Sequence, residues 1–323
     1  MLYPLIFHPI FKERVWGGRE LEKLYHKPLP PGVPIGESWE ISDRPGELSV
    51  IANGPLAGKD LHWLVQNHAA ELLGPAKLQA GRFPLLIKIL DARDKLSLQV
   101  HPPPAKAAAL GGDPKTEMWY IADAAPGAEL YVGLRRGVTR SEFERKIRDG
   151  SVSECFHRVG VRAGDAMFLP SGRVHAIGAG LVIFEIQQNS DTTYRVFDWN
   201  RVGLDGKPRD LHVAQSLESI DFTDFEPELA TSEYEAQDGF KVRHVVRDAL
   251  FTVDAITAES GKGVPLSQGR MTILGLVQGR VRVIGADNSI ELNKGQFCLI
   301  PASIAAEVRS ESSSTFLMVQ AGA

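Results

Sequence analysis

Cysteine is nearly missing from this chain: Cys155 and Cys298 are the only two, and they lie far apart. Two distant thiols build no disulfide framework, which fits a reducing compartment and makes the cytoplasm the expected location. A surplus of positive charge is missing too. A net charge of −4 gives no electrostatic footprint for nucleic acid or an anionic membrane, so neither is expected as a partner. No apolar run is long enough to span a bilayer. The N-terminal stretch Leu2 to Pro9 lacks a basic flank and is broken by Pro4, His8 and Pro9, so it does not read as a signal peptide. A glycine-rich phosphate loop of the mononucleotide or dinucleotide type is also absent, which counts against nucleotide chemistry. What remains is 43% hydrophobic and 24% charged, an ordinary globular balance, in 323 residues that suffice for one large or two medium domains.

The chain reads as mainly β. Short apolar runs at 85–90, 166–169, 181–186, 271–277, 281–284 and 297–300 are separated by Gly, Pro, Asp and Asn at short intervals. That rhythm suits a sandwich or barrel better than alternating strand–helix units. Helical spacing is confined to three places. Residues 59–73 form one, the Thr139-Arg140-Ser141-Glu142 capping pattern opens a second, and 210–218 form a third. Between Asp221 and Gln237 the chain turns acidic and irregular, which predicts a junction between residues 1–236 and a purely β module at 237–323. An internal repeat supports the cut. Gly164 to His175 and Gly295 to Ala306 share a Gly-x5-Pro spacing, but Ser303 stands in the place of Gly172 and Ala306 in that of His175.

Four residues in two segments could share one metal ion. Gln99 and His101 are two apart, so on a strand both side chains project to one face. Glu117 follows on the next apolar run, and His175 ends a Gly-x5-Pro-x-Gly-x2-His pattern that reads as strand, turn and new strand. Two imidazoles, a carboxylate and an amide oxygen are a borderline N/O donor set suited to zinc with a position left open. Arg195 follows the polar stretch Gln187 to Thr193 and is expected in a solvated cleft, with a structural ion pair as its plainer role. Lys88 interrupts an apolar strand, where an unpaired ammonium would be costly, so it is either paired in the cleft or at its edge. The other histidines show no ligand spacing.

The two segments, together with Pro9 to Gly18, Gly36 to Ser42 and Gln187 to Val196, resemble the type I mannose-6-phosphate isomerases in their short bacterial form, within the cupin superfamily. The likeness covers nearly the whole chain. It implies two cupin-type jelly-roll modules with a small helical insertion, the second module without metal ligands. It also implies one zinc per chain held by Gln99, His101, Glu117 and His175, and a sugar phosphate substrate. Arg195 would be catalytic, with Lys115, Ser97 and Asp191 contacting substrate, in a monomer or weak homodimer. Two departures stand out: Pro103 and Pro104 follow the His-Pro pair where the family usually has acidic residues, and Met118 stands where cysteine is common.

The implied reaction moves a proton between C1 and C2 of a hexose 6-phosphate through an enediol, which needs a base and a positive centre for the developing oxyanion. Lys115, Asp191 and a metal-bound water remain open as the base. A non-catalytic cupin that binds a sugar or sugar phosphate would use the same metal set but would not need Arg195. An iron-dependent cupin oxygenase is disfavoured by the glutamine in the first motif.

Overall fold

The computed structural model describes residues 2–322, and its sheets repeat one strand order twice. The first six-stranded sheet runs Ile10–Gly18, Ile35–Ile41, Leu85–Ala92, Leu181–Gln188, Glu117–Ala124, Ala166–Leu169. A five-stranded sheet faces it, ordered Tyr194–Phe197, Leu98–Val100, His175–Ile177, Glu129–Leu134, Phe156–Gly160. The second pair follows the same plan. Its six-stranded sheet is Tyr234–Gln237, Phe240–Arg247, Phe251–Ala258, Ser314–Ala321, Thr272–Gln278, Phe297–Ile300, and its four-stranded sheet is Gly263–Leu266, Ala306–Ser310, Arg280–Ile284, Ser289–Asn293. The edge strands Ala166–Leu169 and Phe297–Ile300 each follow a glycine at positive φ, Gly164 and Gly295. The Gly-x5-Pro repeat is thus repeated in three dimensions, with Tyr234–Gln237 already part of the second pair of sheets.

Alternation along the strands sorts side chains between two cores. In Leu85–Ala92, Ile87 and Ile89 face outward while Lys88, Leu90 and Ala92 face the partner sheet; in Leu181–Gln188, Val182, Phe184 and Ile186 go out while Leu181 and Ile183 go in. The outward face is not solvated. It joins the outer face of the second six-stranded sheet in one large core, filled by the N-terminal segment (Leu2, Tyr3, Leu5, Phe7) and helix Leu61–Leu73. The apolar N-terminus is therefore core material, pinned by a bridge from Leu5 to Leu299 and another from Phe7 to Ile51. Phe184 sits at the centre of this contact, its ring 5.1 Å from that of Phe297 and 6.0 Å from Tyr25. Phe184→Ala is expected to cost about 3–5 kcal/mol in denaturant unfolding; a loss below about 1 kcal/mol would mean that the two six-stranded sheets do not rely on this packing.

Two of the three expected helices start at their sequence signals, and a further short helix, Glu20–Tyr25, was not expected. Asp60 and Thr139 cap Leu61–Leu73 and Arg140–Asp149 through the amides of Trp63 and Glu142. The third helix begins only at Val213, not at Asp210. The reason lies outside the segment: the Asp210 carbonyl accepts from the Arg195 guanidinium, and the His212 amide donates to the Arg195 carbonyl. Pro104 takes the first position of a short helix, Pro104–Ala107, where its missing N–H costs nothing. Among the described residues no helix is long and apolar enough to cross a membrane.

Candidate metal centre and substrate cleft

Strand register brings the motif residues of the two facing sheets together. On the five-stranded sheet His175 lies opposite Gln99, and Gln99 opposite Arg195, so the three form a row. Glu117 comes from the six-stranded sheet, where it pairs with Gln187 and Leu169. Gly172 links the two ligand segments: its amide donates to the His101 carbonyl, and its φ of +95° explains why the motif holds glycine there.

His101, Glu117 and His175 offer ligand atoms that all lie within 4.8 Å of one another, and each is 1% exposed or less. The Nε2 atom of His175 is 3.3 Å from Glu117 Oε1, and that of His101 is 3.5 Å from Oε2. Two ligands at bonds of about 2.0–2.1 Å around a tetrahedral ion are separated by about that much. The outer ring nitrogens face carbonyls: His101 Nδ1 is 2.7 Å from the Thr192 oxygen, and His175 Nδ1 is 3.0 Å from that of Arg173. Donation from each Nδ1–H leaves both Nε2 lone pairs aimed inward. Burial lowers the pKa of both imidazoles, that of His175 to about 3, which keeps them neutral and able to ligate. Burial acts to raise the Glu117 carboxyl, but the Lys115 ammonium beside it holds it well below the usual range. Glu117 Oε1 is buried and has no hydrogen-bond partner. A bare carboxylate oxygen beside two inward lone pairs fits a divalent cation. Gln99 Nε2 lies 3.3 Å from His175 Nε2, and a half-turn of the amide brings its oxygen to the same place.

Beside this cluster opens a cleft of about 590 Å³. Ser97, Gln99, Lys115, Asp191 and Arg195 all line it, so every residue singled out for substrate or catalysis reaches one cavity. Lys115 is buried, its ammonium against Glu117 and 3.2 Å from His101 Nε2. Arg195 donates from Nη1 to the Asp210 carbonyl at 2.7 Å, and its Nε is buried without a partner.

Three cleft residues escaped the sequence reading or were given too little weight. Lys88 is in the cleft, 3.4 Å from Glu185 and 3.7 Å from Glu37, and Glu37 is also bound by Arg14 and by the Trp39 indole. Lys88 and Glu185 share a signal, a lone charge at an inward position of an apolar strand, as in Leu-Leu-Ile-Lys-Ile-Leu and Leu-Val-Ile-Phe-Glu-Ile, whereas Glu37 lies in the polar strand Ile-Gly-Glu-Ser-Trp-Glu-Ile and carries no such signal. Burial acts to raise the Glu37 carboxyl, but Lys88 and Arg14 hold it down at about 2. A depressed carboxyl stabilises the fold at pH values above the ordinary 4.5, and that stabilisation fades as pH falls from 4.5 toward 2. Glu37→Gln is therefore expected to be less stable than the parent at pH 7, with the gap closing over that acid window. Urea unfolding of both proteins at several pH values checks this; a gap independent of pH would assign the loss to packing instead of charge.

The model for the catalytic domain of type I phosphomannose isomerase matches residues 5–143. The mannose-6-phosphate isomerase ManA of Bacillus subtilis is 37% identical over 300 residues, covering 92% of this chain and 93% of that protein. The chain belongs to the type I phosphomannose isomerase family. Another member, the mannose-6-phosphate isomerase of Streptococcus mutans, is 35% identical and covers 94% of each chain. The crystal structure of the mannose 6-phosphate isomerase from Bacillus subtilis superimposes with a TM-score of 0.89 at 30% identity, covering 98% of this chain and 99% of that one. The family likeness thus extends across both pairs of sheets, the second of which holds none of the candidate ligands.

Proposed function

We propose that this family member is a zinc-dependent aldose–ketose isomerase that interconverts mannose 6-phosphate and fructose 6-phosphate in the cytoplasm. The observation that carries the reading is the partnerless Glu117 oxygen between two neutral imidazoles, at the wall of a cleft lined by Lys88, Lys115 and Arg195. The relatives named above supply the substrate class.

His101, Glu117 and His175, with the Gln99 amide oxygen, would hold one zinc per chain, the metal their nitrogen and oxygen donors suit. When bound, the ion supplies Lewis-acid stabilisation of charge on sugar oxygens. The remaining work falls to side chains of the cleft. Arg195 stays cationic at any working pH, and its tether to the Asp210 carbonyl sets the guanidinium before substrate arrives. It faces the enediol oxygens as charge grows there. Ser97 and Lys115 contact the substrate, with hydroxyl and ammonium as handles for phosphate. Lys115 and Asp191 are the chain's own candidates to carry the proton between C1 and C2. Lys88, held by Glu185 and Glu37, places an ammonium donor on the same wall. Trp16, Leu90 and Leu96 give the cleft an apolar side that sheds water.

We take the catalytic module to be residues 1–236 and the module without ligands to be 237–323, with strand Tyr234–Gln237 as the overlap. A coupled assay converting mannose 6-phosphate to fructose 6-phosphate tests the reading. Turnover is expected, with loss on chelation and return on adding zinc. Sugar phosphate binding without turnover would make the chain a binding module; turnover indifferent to exhaustive chelation would remove the metal from the reaction.

A further inference from the structure

A second cavity, of about 610 Å³, opens on the outer face of the five-stranded sheet, away from the metal cluster. Its floor is aromatic, made by Tyr131, Phe156 and Trp199, and its rim carries Lys95, Arg135 and Arg158. The volume is in the range of small-molecule sites. Neither the proposed metal set nor the proposed substrate contacts reach it.

Trp199 is held there at a cost. It and Asn200 are consecutive non-glycine residues at positive φ, 57° and 56°, a backbone state that ordinary side chains rarely adopt. Several contacts fix the indole. Nε1 donates to the Leu96 carbonyl at 2.7 Å, and the ring meets Tyr131 and Phe197 edge-on at 5.5 and 5.6 Å. The Lys95 ammonium lies 4.1 Å from the ring centre, and the Arg158 guanidinium 5.6 Å from that of Tyr131. Both cations lie over the ring faces, and the Arg158 guanidinium is also held by both oxygens of Glu129. The charge around the cavity is positive on balance. Lys95, Arg135 and Arg158, with Arg136 and Lys146 just behind, stand against Glu129, Glu142, Glu154 and Glu226. That surplus lies on a chain whose net charge is −4.

We infer that this cavity is a binding site for an anion joined to a flat ring, of the size and chemistry of a nucleoside monophosphate. The ring stacks on the Trp199 and Tyr131 floor in place of the Lys95 and Arg158 side chains, which turn outward onto the phosphate together with Arg135. Stacking needs no glycine-rich loop, so the absence of a phosphate-loop motif does not bear on it. The cavity is separate from the cleft, although both touch the segments around Leu96 and Asp198 to Arg201. Ligand here therefore binds alongside a sugar phosphate and does not compete with it.

Isothermal titration of the full chain with adenosine and guanosine monophosphates, and with inorganic phosphate, tests this independently of isomerase turnover. Saturable binding of a nucleoside monophosphate is expected, at least tenfold tighter than phosphate, and undiminished by excess mannose 6-phosphate. Trp199→Leu should weaken it roughly tenfold or more. Arg158→Gln, on an exposed strand position where folding is not at stake, should also weaken it and leave turnover unchanged. No binding, phosphate as tight as nucleotide, or displacement by mannose 6-phosphate would each overturn the site. Should Trp199→Leu fail to fold, unchanged binding by Arg158→Gln and Lys95→Gln together would do the same.

Discussion

His175→Ala is expected to lose the metal and isomerase turnover together while keeping its fold. The imidazole is almost fully buried, points Nε2 at the partnerless oxygen of Glu117, and is oriented by the Arg173 carbonyl behind it. Removing an outer partner of a metal ligand costs roughly 10–100-fold in affinity or activity, and removing the ligand itself should cost more. The fold should survive for a reason visible in the same chain. Ala306 occupies the equivalent place in the second pair of sheets, and strand Ala306–Ser310 forms there all the same. Elemental analysis, turnover and circular dichroism on one preparation settle the matter. Full metal content in the variant would defeat the ligand assignment. Lost metal with undiminished turnover would defeat the link between ion and reaction.

The candidate ligands were legible because their geometry is local. Gln-x-His at the end of strand Leu98–Val100, with His101 just past it, and a histidine opening the strand after Pro-x-Gly place three side chains by short-range rules, and the mainly β pattern with its repeat came from strand alternation and turn residues. The Lys88, Glu37 and Glu185 cluster was not legible in the same way. Lys88 meets Glu185 only because Leu85–Ala92 lies beside Leu181–Gln188 with those two residues in register, and meets Glu37 because Ile35–Ile41 lies on its other side. Nothing within any one segment states which strands are neighbours. Lys88 alone read as a costly charge, and only the partner strands supply its carboxylates. The late start of helix Val213–Ser219 has a similar cause: the backbone of Asp210 and His212 is claimed by Arg195, a residue outside that segment. The second cavity was hidden altogether, since Tyr131 and Trp199 meet across the surface of a sheet and carry no motif.

Arg195→Ala should separate chemistry from binding. The guanidinium stands in one row with Gln99 and His175, yet it is no ligand, so metal content should match the parent. Burial and the nearby Arg209 lower its pKa from the ordinary value, but a guanidinium keeps its proton at working pH, so its charge does not titrate during the reaction. Nη1 is committed to the Asp210 carbonyl, while Nε is buried and has no partner. A donor held in place and left unsatisfied is suited to a negative charge that develops later. Because that charge grows in the transition state, its loss should appear in kcat: a fall of roughly 10²–10³-fold, with KM changed far less. Arg195→Lys restores charge without the planar fork and should recover only part of the rate. Steady-state kinetics on metal-assayed protein read out each case. Unchanged turnover would reduce Arg195 to a structural residue tethering the 210–212 segment. A rise in KM at constant kcat would make it a substrate handle, and a loss of metal would show that the row places it closer to the ion than proposed.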